Sequence, residues 1–282
     1  MKVAFLQCRA AGKGELMDLH TISSVRRATV RGDLAALGPD TAVLAGGTWM
    51  FSDPQVHLRG LVDVTGFGWP ALTVVDGGLE IAATCTMAEL SRFRGPTEWA
   101  AVPLFRQCCT ALVGSFKVWN VATVGGNICL ALPAGPMTSL CAALDGVAVI
   151  WTPEGGERRV PVAGFVVGDR RTALGPGEVL RAVVLPEHAL RARVAYRRAS
   201  LSPEGRSGSL VIGRVDDGGF VLSVTAATPR PHRFAFPAVP DARDVAAALD
   251  TIPAWFDDPH GAPDWRRAVT GLLAQEIREE LA

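Results

Sequence analysis

Two short stretches limit what this chain can fold into. In each, an apolar, strand-like run breaks into paired glycines: VLAGGT at residues 43–48 and VATVGGN at residues 121–127. Glycine lacks the Cβ that keeps an approaching atom away from a backbone amide, so each break is read as a strand opening into a tight loop with accessible N–H donors. Several convergent donors are what a pyrophosphate requires. Thr123 adds a hydroxyl, and Asn127 adds a carboxamide that can fix its loop or reach a ligand. One glycine pair alone is most often an ordinary turn, but two, each with a polar neighbour, favour ligand loops. Neither stretch matches GxGxxG or GxxxxGK[ST], which disfavours a Rossmann-bound nicotinamide dinucleotide and a nucleoside triphosphate.

A chain of 282 residues suits two or three modest domains with cores of their own. With 49% hydrophobic and 20% charged residues it reads as a folded protein and not as a disordered one. Its 28 basic and 28 acidic residues cancel, leaving no overall field to attract nucleic acid. The longest apolar run, residues 128–144, is interrupted by Pro133, Gly135 and Pro136 and is shorter than the roughly 20 residues a membrane span needs. No signal-peptide core develops at the start, so a cytoplasmic location is expected. The six cysteines lack the spacing of a disulfide framework and include no CxxC pair. They are expected to be reduced and buried, with no metal or iron–sulfur centre on this chain.

The periodicities suggest a mixed sheet alternating with helices. Hairpins are expected around Asp76, Gly77 and Gly78 and around residues 153–156. Thr86 is placed to cap a helix through Met87 and Leu90, and Pro103 to open another through Leu104 and Cys108. Residues 122–129 read as a glycine-interrupted loop, followed by helical spacing from Met137 to Leu144. Composition changes at Gly175, Pro176 and Gly177, which suggests a separate C-terminal domain with a turn at residues 216–219. In its last helix Trp265, Val269, Leu272, Leu273, Ile277 and Leu281 form the core-facing stripe, with Asp264 as the cap.

Taken together, these residues resemble the FAD-binding medium subunits of the molybdopterin hydroxylase family, of xanthine dehydrogenase and carbon monoxide dehydrogenase type. LAGGT at residues 44–48 and TVGGN at residues 123–127 match that family's two loops. LVDVTG (residues 61–66) and IAATCTMAEL (residues 81–90) match the stretches between them, and the likeness extends from about Asp18 to the C-terminus. It implies an α+β fold: a two-lobed FAD-binding domain of the PCMH/VAO type, then a C-terminal α+β domain with a small antiparallel sheet and helices. The boundaries expected are residues 17–70 and 71–175 for the lobes and 176–282 for the C-terminal domain. Residues 1–16 are expected to be an extension ahead of a natural start at Met17.

The resemblance also implies a site. Ala45, Gly46, Gly47, Thr48 and Trp49 of the first loop and Thr123, Val124, Gly125, Gly126 and Asn127 of the second would hold the FAD pyrophosphate. Leu180 and Arg197 would lie near the isoalloxazine ring, although core packing and a surface charge are fair alternatives for them. Thr84 and Thr86 are weaker candidates, since a threonine in a strand needs no functional explanation. Two positions depart from the family pattern: Trp119 stands where an arginine is common, and Pro136 where an aspartate is.

His20, His57, His188, His232 and His260 are scattered, and no GxSxG or HExxH element occurs, so the chemistry is expected to be the cofactor's. The resemblance implies an oxidoreductase subunit passing electrons from iron–sulfur clusters through FAD to an acceptor. Its partners would be a molybdopterin-binding large subunit and a [2Fe–2S] small subunit. The competing readings are a flavin-free assembly subunit and a free-standing flavoprotein oxidase.

Overall fold

The computed structural model describes residues 19–282, so the expectation about Met17 lies outside the described residues. The first lobe is a parallel sheet of β1 (Ser24–Arg27), β2 (Thr41–Leu44) and β3 (Gly60–Asp63), with β3 in the middle. The central place of β3 explains why Leu61 and Val62 are buried while β1 is exposed along its length. In the second lobe the chain passes through β4 (Leu72–Val75), β5 (Gly78–Ala82), β6 (Val147–Trp151) and β7 (Glu157–Pro161). A short hairpin of β8 (Val166–Gly168) and β9 (Arg171–Thr172) follows, and then β10 (Val179–Pro186). The sheet order is β4-β5-β10-β6-β7, antiparallel throughout. The expected mixed sheet is thus two sheets, one parallel and one antiparallel.

That order corrects the expected boundary at residue 175. Residues 179–186 are the central strand of the second lobe, paired with β5 on one side and β6 on the other. The Gly-Pro-Gly change in composition marks the turn into this strand, and the C-terminal layer begins further along. There β11 (Arg193–Ala199), β12 (Ser209–Asp216), β13 (Gly219–Thr225) and β14 (His232–Phe236) form an antiparallel meander.

Five helices connect β5 to β6: α1 (Met87–Arg92), α2 (Pro103–Thr110), α3 (Phe116–Trp119), α4 (Val124–Leu130) and α5 (Pro136–Ala143). The expected start of α1 is present, with Thr86 and Glu89 closing a reciprocal capping box. The two turns α6 (Val162–Phe165) and α7 (Glu187–Arg191) follow, and α8 (Ala242–Asp250) and α9 (Pro263–Leu281) cover one face of the C-terminal sheet. In α9 the buried stripe is Arg266, Thr270, Leu273, Ala274, Ile277 and Leu281, while Leu272 is 61% exposed and Pro263, not Asp264, opens the helix. The stripe is rotated from the expected one because the Arg266 guanidinium is buried. It donates to the carbonyls of Gly208, Ala226 and Gly261 and to Asp258.

Every residue of α5 is buried, and its Ser139 hydroxyl is bonded to the Gly135 carbonyl and to Thr225. It lies between the second lobe and the C-terminal sheet, packing on β12 and β13. Both ends are capped by other elements. The Met137 amide donates to Asn127 Oδ1 (3.0 Å), and buried Arg214 of β12 donates to the Ala143 carbonyl (3.1 Å) and to Asp145 Oδ2 (2.7 Å). Asp145 also pairs with Arg233 at 2.8 Å and His188 at 3.3 Å, and so ties the two layers together. Arg214 Nε faces Asp216 at 2.9 Å, off the line of a hydrogen bond.

Burial alone would raise the Asp145 carboxyl, but hydrogen bonding and charge from Arg214, with Arg233 and His188, hold it below the ordinary value of 3.8. Its folded value is depressed, so its contribution to stability is complete above about 3.8 and is lost as pH falls through the lower folded value. Asp145→Asn leaves Arg214 buried with one acidic partner fewer. It should destabilise the protein by about 2–3 kcal/mol at neutral pH. Thermal melts from pH 7 to pH 2 should show wild type losing this increment in acid while the variant does not.

Candidate functional site

A cleft of about 1040 Å³ opens between the lobes and reaches the C-terminal layer. That volume is at the upper end of the range for small-molecule sites, about 300–1,000 Å³. Its walls are the segment after β2 (residues 45–50), the N-terminal part of α4 with residues 111–114, and β10 at Val179 and Leu180. Arg206 and His260 border it from the C-terminal layer.

The first glycine pair brings two backbones together. A Cβ on Gly46 would lie 1.8 Å from the Val121 carbonyl oxygen, so only glycine allows the first loop to rest on the chain entering α4. Gly47 has φ +70, and a Cβ there would meet the Phe51 ring at 2.3 Å. Beyond this point the chain turns back on itself, with Phe51 N donating to Gly47 O and Ser52 N to Trp49 O. Among the described residues, the amides of Gly46, Gly47, Thr48, Trp49 and Met50 donate to no protein acceptor. All five residues line the cleft. The expected loop is present here, with its amides unpaired.

At the second pair the expectation of a loop is corrected. Residues 124–130 are helix α4, capped by Thr123, and its first amides are already used. Val124 N donates to Cys85 O (2.8 Å), Gly125 N to Ala83 O (2.9 Å), Gly126 N to Thr123 Oγ1 (3.0 Å) and Asn127 N to Thr123 O (3.0 Å). Gly125 is needed for packing, since a Cβ there would fall 2.5 Å from the Ala83 side chain and 2.7 Å from its backbone. At Gly126, which also lines the cleft, an added Cβ would meet a single atom, Thr123 Oγ1 at 2.8 Å, so the glycine keeps the α4 cap free. From this side a ligand can meet the Thr123 hydroxyl proton and the N–H donors of Asn127, whose oxygen is committed to Met137.

Of the other expected residues, Ala45, Trp49 and Leu180 line the cleft, as does Pro136. Val124 does not, its side chain being fully buried in the core. Nor does Arg197, which the structure places on β11 facing α9, bonded to Glu276 (2.8 Å) and Glu280 (2.7 Å). The bond to Glu276, then that to Glu280, raises its pKa further, so Arg197 is a clamp within the C-terminal layer. Thr86 is the α1 cap, and Thr84 is not in the lining. Trp119 packs beside the core with its indole nitrogen buried and without a partner.

Sequence reasoning missed the charged groups of the cleft. Arg170, in the turn between β8 and β9, faces Asp53 and the Trp49 ring, and Glu178 is held by Arg158 at 2.6 Å. No local pattern marks such pairs, because their partners are far apart in sequence. Burial pushes the Cys129 thiol up to about 12, and the other described cysteines are likewise raised, so none is a poised nucleophile. Among the described residues no group of His, Cys, Asp and Glu is arranged to hold a metal, and no helix is long and apolar enough to cross a membrane.

Residues 20–188 match the family described as the FAD binding domain in molybdopterin dehydrogenase. The chain belongs to that family. A xanthine dehydrogenase FAD-binding subunit of Escherichia coli is 28% identical over 230 residues, covering 76% of this chain and 77% of the relative. Xanthine dehydrogenase 2 of Arabidopsis thaliana is 29% identical over 182 residues, where this chain spans only 13% of a much longer protein. Among solved structures, a Cu,Mo-CO dehydrogenase chain superposes with a TM-score of 0.78 at 21% identity, covering 92% of this chain and 98% of that one. Quinoline 2-oxidoreductase from Pseudomonas putida 86 gives 0.77 at 22%, covering 92% and 96%. At such identities the superpositions establish the fold alone, a pair of lobes joined to a C-terminal α+β layer.

The glycines can be told apart by substitution. Gly126→Val should meet only the Thr123 hydroxyl, at 2.8 Å, so it should cost less in melting temperature than a change at Gly46 while abolishing flavin binding. Gly46→Ala meets a carbonyl that cannot move away, so it should lower the melting temperature and flavin binding together. Differential scanning fluorimetry beside flavin titration checks both; equal loss of stability in the two variants would contradict this division.

Proposed function

We propose that the cleft holds FAD and that the chain is the FAD-binding, electron-transferring subunit of a molybdenum-containing hydroxylase or dehydrogenase. The observation that carries this reading is the run of uncommitted amides from Gly46 to Met50, all on residues that line a cleft large enough for a dinucleotide. A diphosphate set against them would receive converging N–H donors without a backbone hydrogen bond being broken. Ala45 and Thr48 complete this wall. Thr123 and Asn127 offer side-chain donors from the opposite wall, where Gly125 lets α4 sit close against Ala83. Pro136, where the resemblance leads one to expect an aspartate, has no side-chain acceptor, so the cofactor is held chiefly by backbone. Leu180, 4% exposed on the central strand, lies with Leu174 on the apolar stretch suited to the ring.

Bound FAD supplies a carrier that exchanges electrons singly or in pairs, as a link between iron–sulfur clusters and a two-electron acceptor requires. The chain's own part is to bind the cofactor, orient it and shield it. The partners are then a molybdopterin-binding large subunit and a [2Fe–2S] small subunit in a cytoplasmic hetero-oligomer. Exposed apolar side chains support this assembly: Phe51 and Val121, which flank the first loop, are 55% and 48% exposed, and Phe116 on α3 is 73% exposed.

Purified chain should take up one FAD per molecule and show no substrate turnover alone. Co-expressed with both partners, it should elute with them and accept electrons from their clusters on addition of substrate. A chain that gains no flavin absorbance in saturating FAD would overturn the cofactor reading in favour of an assembly subunit. Turnover by the isolated flavoprotein would instead favour a free-standing oxidase.

A further inference from the structure

Past the Gly46 seam, Thr48, Trp49, Met50 and Asp53 of the first lobe line the cleft, the first three with free amides. Among the described residues, their polar contact with the second lobe runs through one side chain. The guanidinium of Arg170 stands 5.0 Å from the centroid of the Trp49 ring and 3.7 Å from Asp53 Oδ2. Arg170, Trp49 and Asp53 all line the cleft.

The backbone at Arg170 is itself unusual. Its φ is +52, a left-handed conformation in which glycine or asparagine is favoured and a long side chain is disfavoured. It is held there by a hydrogen bond from Arg170 N to Ala131 O (3.0 Å), and Ala131, the left-handed C-cap of α4, has φ +51. One end of α4 therefore anchors Arg170, while the other end, with Gly126 and Asn127, forms the opposite wall of the cleft. Strain of this kind, kept where the side chain spans a ligand cleft, points to a use for that side chain.

Resting on the FAD reading above, we propose that Arg170 is a positioning residue that straps the Trp49–Asp53 segment to α4 and so holds the first loop's amides over the cofactor. The ion pair is about half exposed and weak by itself, so the strap acts by combining it with the cation–π contact. It is expected to slow cofactor release rather than to maintain the fold.

The test uses the full-length chain and Arg170→Gly, which keeps the left-handed backbone without its side chain. Arg170→Gly should raise the FAD dissociation rate about fivefold at an unchanged melting temperature. Arg170→Lys, which keeps the charge but not the planar group, should recover part of the difference. Asp53→Asn should act in the same direction, and the double variant should show a fold-change smaller than the product of the two single ones. In the FAD-free protein, hydrogen exchange at the amides of Phe51 and Ser52, which close the turn of this segment, should quicken in Arg170→Gly. Wild-type release rates in Arg170→Gly, or effects of Arg170 and Asp53 that multiply as independent sites, would overturn the proposal and leave FAD binding intact. Failure of the wild-type protein to bind FAD would overturn the cofactor reading and with it this role for Arg170, whatever the exchange data show.

Discussion

Two close approaches of backbone to backbone set the shape of the cleft. At one, Gly46 lies against the carbonyl of Val121; at the other, Gly125 lies against the backbone of Ala83. Each excludes a Cβ, and together they fix α4 between the first loop and the strand end at Ala83. Residues 46–50, whose amides are free, line the cavity just past this seam. The two glycine motifs look equivalent in sequence and have different physical roles. The first leaves donors unpaired, whereas the second uses its donors to start a helix and its glycines to let that helix sit close.

Much of this was legible in the sequence, for identifiable reasons. Paired glycines after an apolar strand force a break in regular structure, so the first loop could be read directly, and Thr86 with Glu89 announced α1 through a local pattern. The TVGGN stretch misled because Gly-Gly weighs against a helix by its own propensity. Here α4 is stabilised by contacts to Cys85 and Ala83, which no window on the sequence contains. The same limit explains β10, which follows a Gly-Pro-Gly break and nonetheless becomes a central strand. It also explains Arg197, whose place depends on Glu276 and Glu280 on the last helix. Arg170 left no local signal, since its partners Trp49 and Asp53 are more than a hundred positions away.

The remaining structure gives the cleft a rigid floor. The spine is α5, buried on all sides, with Asn127 capping its start and Arg214 its end. Asn127 thereby links the cleft wall to the core, while Asp145 carries the connection on to the C-terminal layer. A cofactor held mainly by backbone amides depends on such rigidity, because donors that had to be ordered on binding would lose conformational entropy in proportion. This arrangement suits a subunit whose task is to place a redox group and leave substrate chemistry to a partner.

The central claim is that one loop, and not two, supplies the backbone donors. Amide resonances of isotopically labelled protein titrated with FAD test it most directly. The account predicts large shifts and slowed exchange at Gly46, Gly47, Thr48 and Trp49, with the amides of Gly125 and Gly126 keeping their internal partners and their exchange rates. Protection gained at Gly125 and Gly126, with the first loop unchanged, would contradict it.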